Sequence, residues 1–260
     1  MRRATRANLV LAALVAALGL AAWWQIGREN AARPSPLTAL DPDAIGTIAV
    51  RCARCTPRRF ERVDGRWWMR EPYALAADAA ALARLAAVAR SPSRARLTPA
   101  DYDLARLGLD PPQYTLQLDA TRIDIGTTDA LDGGDRYVRV GDALARVPDR
   151  FAPLLAAAPE NELDRAPLPP DREPVAVTVD GVDRPGLIGA WRGARAERVV
   201  AASNGDAPPG ARVELRLTDG ETLAFAWHRV DGGYVAERAM PAVGYVFDEA
   251  AAQRLLGRDP

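Results

Sequence analysis

From residue 45 onward, apolar and polar positions alternate in short runs separated by turn residues, which is a strand pattern. Ile48 and Val50 mark the first run, Ile45 to Arg51, and Arg58 to Val63 is the second. Asp64-Gly65 joins it to Arg66–Arg70, and Asp-Gly between β-rich runs is the strongest short hairpin signal. Trp67 and Trp68 point to opposite faces of that strand, so one belongs to the core and the other to a flank or an interface. Ala76 to Ala89 switches to helical spacing, with Leu82, Leu85 and Val88 on one face. Arg94 to Leu97 reads as a short strand. Thr98-Pro99-Ala100-Asp101 predicts a helix start: threonine caps, proline takes the first helical position and the acid reaches back. That helix is expected to end at Gly108, before Pro111-Pro112. Tyr114–Leu118 and Arg122–Ile125 alternate as strands, and Arg136–Val140 pairs with Ala143–Val147 around Gly141-Asp142. A short helix follows from Phe151 to Ala157, with Pro153 in its first turn.

Five prolines between Pro159 and Pro174 place a boundary there. The first domain is then 45–163, the linker 164–174 and a smaller second domain 175–260. The second domain offers Val175–Val179, Leu187–Trp191, Glu197–Ala201, Val213–Leu217, Thr222–Arg229 and Tyr234–Glu237 as strands. Asp219-Gly220 and Asp231-Gly232-Gly233 supply hairpin turns, and Asp248 caps a last helix through Leu256 that Gly257 stops. Both domains end alike, with strands, a Tyr-Val pair (Tyr137-Val138, Tyr234-Val235), a further strand and a helix holding two leucines. This reads as a diverged duplication of one meander-plus-helix unit. The expected fold class is α+β: two domains of antiparallel β-meander with packed helices, after one N-terminal transmembrane helix.

That helix is expected from Ala7 to Gly27, a run without formal charge behind Arg2, Arg3 and Arg6. At about 1.5 Å per residue it is roughly 31 Å long, the thickness of a hydrocarbon core. Trp23 and Trp24 lie where an aromatic belt meets headgroups. A cleaved signal, with a poor site at Gly19-Leu20-Ala21, and a buried soluble helix are the alternatives. The arginine bias puts residues 1–27 in and before the inner membrane with the N-terminus cytoplasmic. Residues 28–44, with Pro34, Pro36 and Pro42, read as a stiff spacer, and the body as periplasmic.

Composition changes the picture in two ways. All 34 basic residues are arginine, against 34 acids, which points to a GC-rich bacterial genome. Without Arg2, Arg3 and Arg6 the body carries about −3, so nothing suggests a phosphate-binding surface, and nucleic acid is not an expected partner. Two cysteines and one histidine leave little material for metal or nucleophile chemistry.

Cys52-Ala53-Arg54-Cys55 is a C-x-x-C that follows a strand and runs into Thr56-Pro57, with no helix behind it. Outside the cytoplasm a small structural disulfide is the plain reading; redox work, aided by Arg51 and Arg54, is the alternative. A zinc half-site would lack a second ligand pair. His228 falls on the face opposite Leu223, Phe225 and Trp227, and a triad would need Ser203, which has no G-x-S-x-G elbow. Asp129, Asp132 and Asp135 around Gly133-Gly134 do not match a calcium loop and read as a solvated hairpin. No cofactor, metal or catalytic residue is expected. Trp67, Trp68 and Tyr137 stand as candidate interface aromatics.

Leu107-Gly108-Leu109-Asp110-Pro111 resembles the domain-of-unknown-function 4340 family. Asp64-Gly65-Arg66-Trp67, Ala77-Asp78, Ile125-Gly126, Arg136-Tyr137-Val138-Arg139 and Val147 support it in order, over roughly Ile45 to Leu163. The resemblance implies a bacterial, envelope-facing module with one membrane helix and no established activity. Because some members occur with gliding-type ABC export systems, it also implies transporter permease or auxiliary subunits as partners. The expected function is a non-catalytic, membrane-anchored periplasmic accessory protein of an ABC-type export or envelope system. A thiol–disulfide protein using Cys52 and Cys55, and an envelope glycan- or lipid-binding module with an aromatic-lined cleft, are the alternatives.

Overall fold

The computed structural model describes residues 15, 18–23, 34–129, 134–203 and 210–258. The expected anchor, 7–27, lies mostly outside them, and no helix among the described residues is long and apolar enough to cross a membrane. The rest is mainly antiparallel β-structure in two sheets with a few helices, an α+β architecture.

The first sheet is built from β1 (Thr47–Cys52), β2 (Arg58–Val63), β3 (Arg66–Glu71), β4 (Leu75–Ala76), β5 (Ala95–Leu97), β6 (Tyr114–Leu118), β7 (Thr121–Thr128), β8 (Asp135–Val140) and β9 (Ala143–Pro148). Its strand order is β4-β3-β2-β1-β6-β7-β8-β9-β5. Alternation buries Ile48, Val50, Phe60, Trp67, Met69, Leu116 and Ile123 under helix α1 (Ala79–Ala86). Asp78 caps that helix, accepting from the N–H groups of Ala80 and Ala81 at 2.8 and 3.1 Å. At the β2–β3 turn both Asp64 (φ 50°) and Gly65 (φ 79°) are left-handed, the geometry that matches strand twist in a two-residue hairpin. A short helix α2 (Ala152–Leu155) closes the domain.

The second sheet comprises β10 (Pro174–Val179), β11 (Val182–Asp183), β12 (Arg198–Ala201), β13 (Ala211–Leu217), β14 (Thr222–Val230), β15 (Gly233–Arg238) and β16 (Val243–Asp248), in the order β11-β10-β13-β14-β15-β16-β12. Helices α3 (Ile188–Arg192) and α4 (Glu249–Leu256) cover one face. Trp191, Phe225, Trp227, Tyr245 and Phe247 interlock there, and the Trp191 Nε1 donates to the Leu255 carbonyl at 3.0 Å. The buried residues of both sheets form one continuous apolar cluster.

Both sheets follow one path. A first strand pairs outward, with β2, β3 and β4 beyond it in the first sheet and β11 alone in the second, and a helix then carries the chain to the far edge. A four-strand meander starts beside the first strand and runs out to that edge, and a helix ends the unit.

Two expected elements differ. Residues 98–108 form one 3₁₀ turn, Pro99–Asp101, and then a run of turns. Thr98 makes no side-chain cap, Tyr102 is extended (φ −131°, ψ 142°), and Asp103 caps a separate turn by accepting from Ala105 N–H at 3.0 Å. A single helical turn has no propagation to offset its nucleation, so the local caps divide the segment. Leu187–Trp191 is helical rather than a strand, because its alternation is too short to outweigh the burial of Trp191 beside α4. Of the expected spacer 28–44, the described part, 34–44, packs on the first sheet's unit. Leu37 is buried, and its N–H donates to the Ser91 carbonyl at 2.9 Å.

Candidate functional site

Three of the segments that carry the family resemblance, Leu107–Pro111, Ile125-Gly126 and the one holding Arg136, meet in space. The Leu107 carbonyl accepts from the Thr127 N–H at 2.7 Å and from its hydroxyl at 3.1 Å. A Cβ on Gly126 would lie 2.1 Å from that carbonyl oxygen, so only glycine admits the approach. Gly108 (φ +64°) turns the chain over this contact. Arg136 clamps it, donating to the Gly126 carbonyl at 2.7 Å and to Asp149 at 2.7 Å. Leu107 to Pro111, Ile125-Gly126 and Arg136 thus form a structural joint.

A second polar focus is buried. Arg58, fully enclosed, lies 3.3 Å from Glu162 and donates to the Leu154 and Leu155 carbonyls at 3.3 and 2.9 Å, and also to the Ala157 carbonyl. It caps the end of α2 and ties it to the turn Pro159–Glu162. Burial pushes the Glu162 carboxyl up to about 7 despite the Arg58 charge.

One of several concave features among the described residues lies between the two sheets. A groove of about 570 Å³, a ligand-sized volume, is walled on one side by Trp68, Leu75 and Ala76 from β3 and β4. Leu223, Arg238, Met240, Pro241 and Tyr245 form the opposite wall, and Pro167 to Pro169 the floor. Trp67 faces the core at 9% exposure, and Trp68, its neighbour on the other face, opens half-buried into the groove. The linker stitches both walls. Asp164 N–H donates to Ala76 at 2.9 Å, Arg165 accepts from Ala196 at 2.9 Å and Glu173 accepts from Thr218 at 3.0 Å.

Charges around the groove are mostly paired. Asp171 meets Arg66 at 2.6 Å, and Arg172 holds Asp219 at 3.1 Å and Glu221. Arg238 differs. It is 9% exposed, and its Nε and Nη2 donate to the Met240 carbonyl at 3.0 and 2.7 Å. No carboxylate reaches it within ion-pair distance among the described residues.

The remaining candidates do not join this site. Cys52 and Cys55 are linked by a disulfide, Cα–Cα 5.5 Å, in the exposed loop between β1 and β2. Tyr137 lies on β8, five strands from β3, and its hydroxyl donates to Asp129 at 3.1 Å. Asp129 also binds Arg146 at 2.9 Å, and Asp135 lies 3.5 Å from Arg94, so arginines hold both carboxylates; Asp132 is outside the described residues. His228 and Ser203 do come together, but on opposite oxygens of one carboxylate. The Ser203 hydroxyl donates to Glu237 at 2.8 Å, and His228 Nε2 is 3.5 Å from its other oxygen. The carboxylate stands between hydroxyl and imidazole, so the base cannot take the serine proton as a triad requires. No group of three metal-ligating side chains occurs among the described residues.

Arg58, Glu162, Arg238 and Glu237 escaped the sequence reading. Strand parity was the available signal: Arg58 shares a face with Phe60, and Arg238 with Ala236.

No curated protein and no solved structure matches the chain. The family described as Domain of unknown function (DUF4340) matches residues 67–227. The match opens at Trp67 in β3, runs through the linker and ends at Trp227 in β14. It therefore extends well beyond Leu163, where the residue-level resemblance stops, and takes in the Trp68 wall, the floor and Leu223 of the groove, while Arg238, Met240, Pro241 and Tyr245 lie beyond it. Covering more than half of the chain and parts of both sheets, it settles the family: this protein belongs to the domain-of-unknown-function 4340 family.

Proposed function

We propose that this protein is a non-catalytic accessory component of a bacterial envelope system, of the ABC-type export class, that holds a partner segment in the groove between its sheets. The single observation that carries the binding role is that groove: concave, part aromatic and built from both domains. The uncharged run from Ala7 to Gly27 behind three arginines supports a single-pass inner-membrane anchor with a periplasmic body. The shared strand path of the two sheets supports a duplicated unit, whose junction would create the groove.

The test is recovery of partners from detergent-solubilised membranes with the full chain as bait. Transporter permease or auxiliary subunits are expected with the wild type and should be depleted with Trp68→Ala. An intact bait that recovers no transport component contradicts the reading.

A thiol–disulfide role is a second reading, supported by the Cys52–Cys55 link in an exposed loop beside Arg51 and Arg54. The loop runs from strand to strand, without the helix N-terminus that lowers a reactive thiol's pKa. A Cys52 thiol titrating near the ordinary cysteine value after reduction removes this alternative.

A further inference from the structure

We propose that the groove recognises an extended peptide that sets an aspartate or glutamate carboxylate against Arg238 and an apolar side chain against Trp68. This rests on the binding role above and specifies its partner chemistry.

Arg238 carries the argument. A guanidinium that is 9% exposed has lost most of its hydration, and a carbonyl offers it no compensating charge. Its two bonds to Met240 fix its plane at the groove wall, beside the Tyr245 hydroxyl. The other charges nearby are satisfied: Asp171 by Arg66, Glu221 by Arg172, and Asp164 by Arg195 at 3.5 Å. An incoming carboxylate is therefore the group that complements the groove. Trp68, Leu75, Leu223 and Met240 surround this point with apolar surface, and the unbranched methionine adapts to varied side chains.

The wall also favours a peptide over an acyl chain. β4 is the edge strand of the first sheet. Ala77 N–H donates to the Trp67 carbonyl, so the Trp68↔Ala76 pair is not mutually hydrogen-bonded, and Ala76 turns its own N–H and C=O away from β3. Asp164 takes the carbonyl; the N–H has no partner among the described residues. Leu163 already bridges Ala77 along this edge, so no further strand is added there; the Ala76 N–H is left as a single backbone donor at the groove wall, which the carbonyl of a bound peptide can satisfy and an acyl chain cannot.

A random dodecapeptide phage library panned against the detergent-solubilised full chain tests this. The expected enrichment is an acidic residue next to an apolar one. Replacing that acid by its amide in a synthetic winner should weaken binding about tenfold or more to wild type and leave binding to Arg238→Met unchanged. Arg238→Lys should keep part of the acid preference, and Trp68→Ala should weaken every winner. The amide comparison needs no protein variant, so poor folding of Arg238→Met leaves the test decisive. Winners without acids, equal binding of acid and amide, no enrichment, or retention of dodecanoate or phosphatidylglycerol vesicles in place of peptides would each overturn the proposal. Membrane pull-downs that still recover transport subunits in that event keep the accessory role; pull-downs that fail while acidic peptides bind remove the transporter assignment alone.

Discussion

Burial pushes the Glu162 carboxyl from 4.5 to about 7, opposed by the Arg58 and Arg84 charges. The folded state then binds more protons than the unfolded chain between those values. Its contribution is present in full below about pH 4.5 and is lost as pH rises through about 7, by up to about 3 kcal/mol. Urea titrations at several pH values should show this decline, and Glu162→Gln should flatten it. Arg58→Met, which strands the carboxylate and three helix-end carbonyls, should cost about 3–5 kcal/mol. Asp124 behaves oppositely. Burial alone would raise it, but hydrogen bonds from Arg122, Arg139 and Thr115 outweigh that and hold it below 3.8. Its contribution is present at neutral pH and is lost only in acid, below the ordinary aspartate range. Gly126→Ala, which drives a Cβ into the Leu107 carbonyl, should cost about 3 kcal/mol by denaturation. Of these residues, parity made Arg58 readable as inward-facing. Its partners were not readable, because they lie about a hundred positions later in the chain and no periodicity links them.

Among elements, the hairpins were the most legible. Arg58–Val63 and Tyr114–Leu118 occupy their expected spans because alternation and turn residues agree there. The last helix, capped by Asp248 accepting from Ala251 N–H at 2.6 Å and ended by left-handed Gly257, was equally legible. Asp248→Ala should lower stability by about 1 kcal/mol. Residues 98–108 misled because a proper cap signal preceded too few apolar positions to hold a helix. Leu187–Trp191 misled because alternation over so short a run does not separate strand from helix. The C-x-x-C loop ties the end of β1 across four residues. Chain-entropy reasoning for so small a loop limits its effect, so Cys52→Ser with Cys55→Ser should cost at most about 2 kcal/mol, measured by thermal unfolding.

At the scale of the molecule, two sheets with one strand path are joined by a linker that bonds to both. Alternation along the strands made each sheet legible, but no local pattern says which walls face each other. Trp68 was identifiable as a flank aromatic. Tyr245 and Arg238, from the far end of the chain, become its neighbours only through the packing of the domains. The family match runs from β3 into β14 and so includes Trp68 but not Arg238 or Tyr245. The most direct measurement places the photo-crosslinker p-benzoylphenylalanine at position 68 of the full chain in native membranes, with position 212, on the exposed face of the second sheet, as control. The account predicts a discrete crosslinked partner from position 68 and none from position 212. Identical crosslinking patterns from both positions, or none from position 68 with the protein intact, would contradict it.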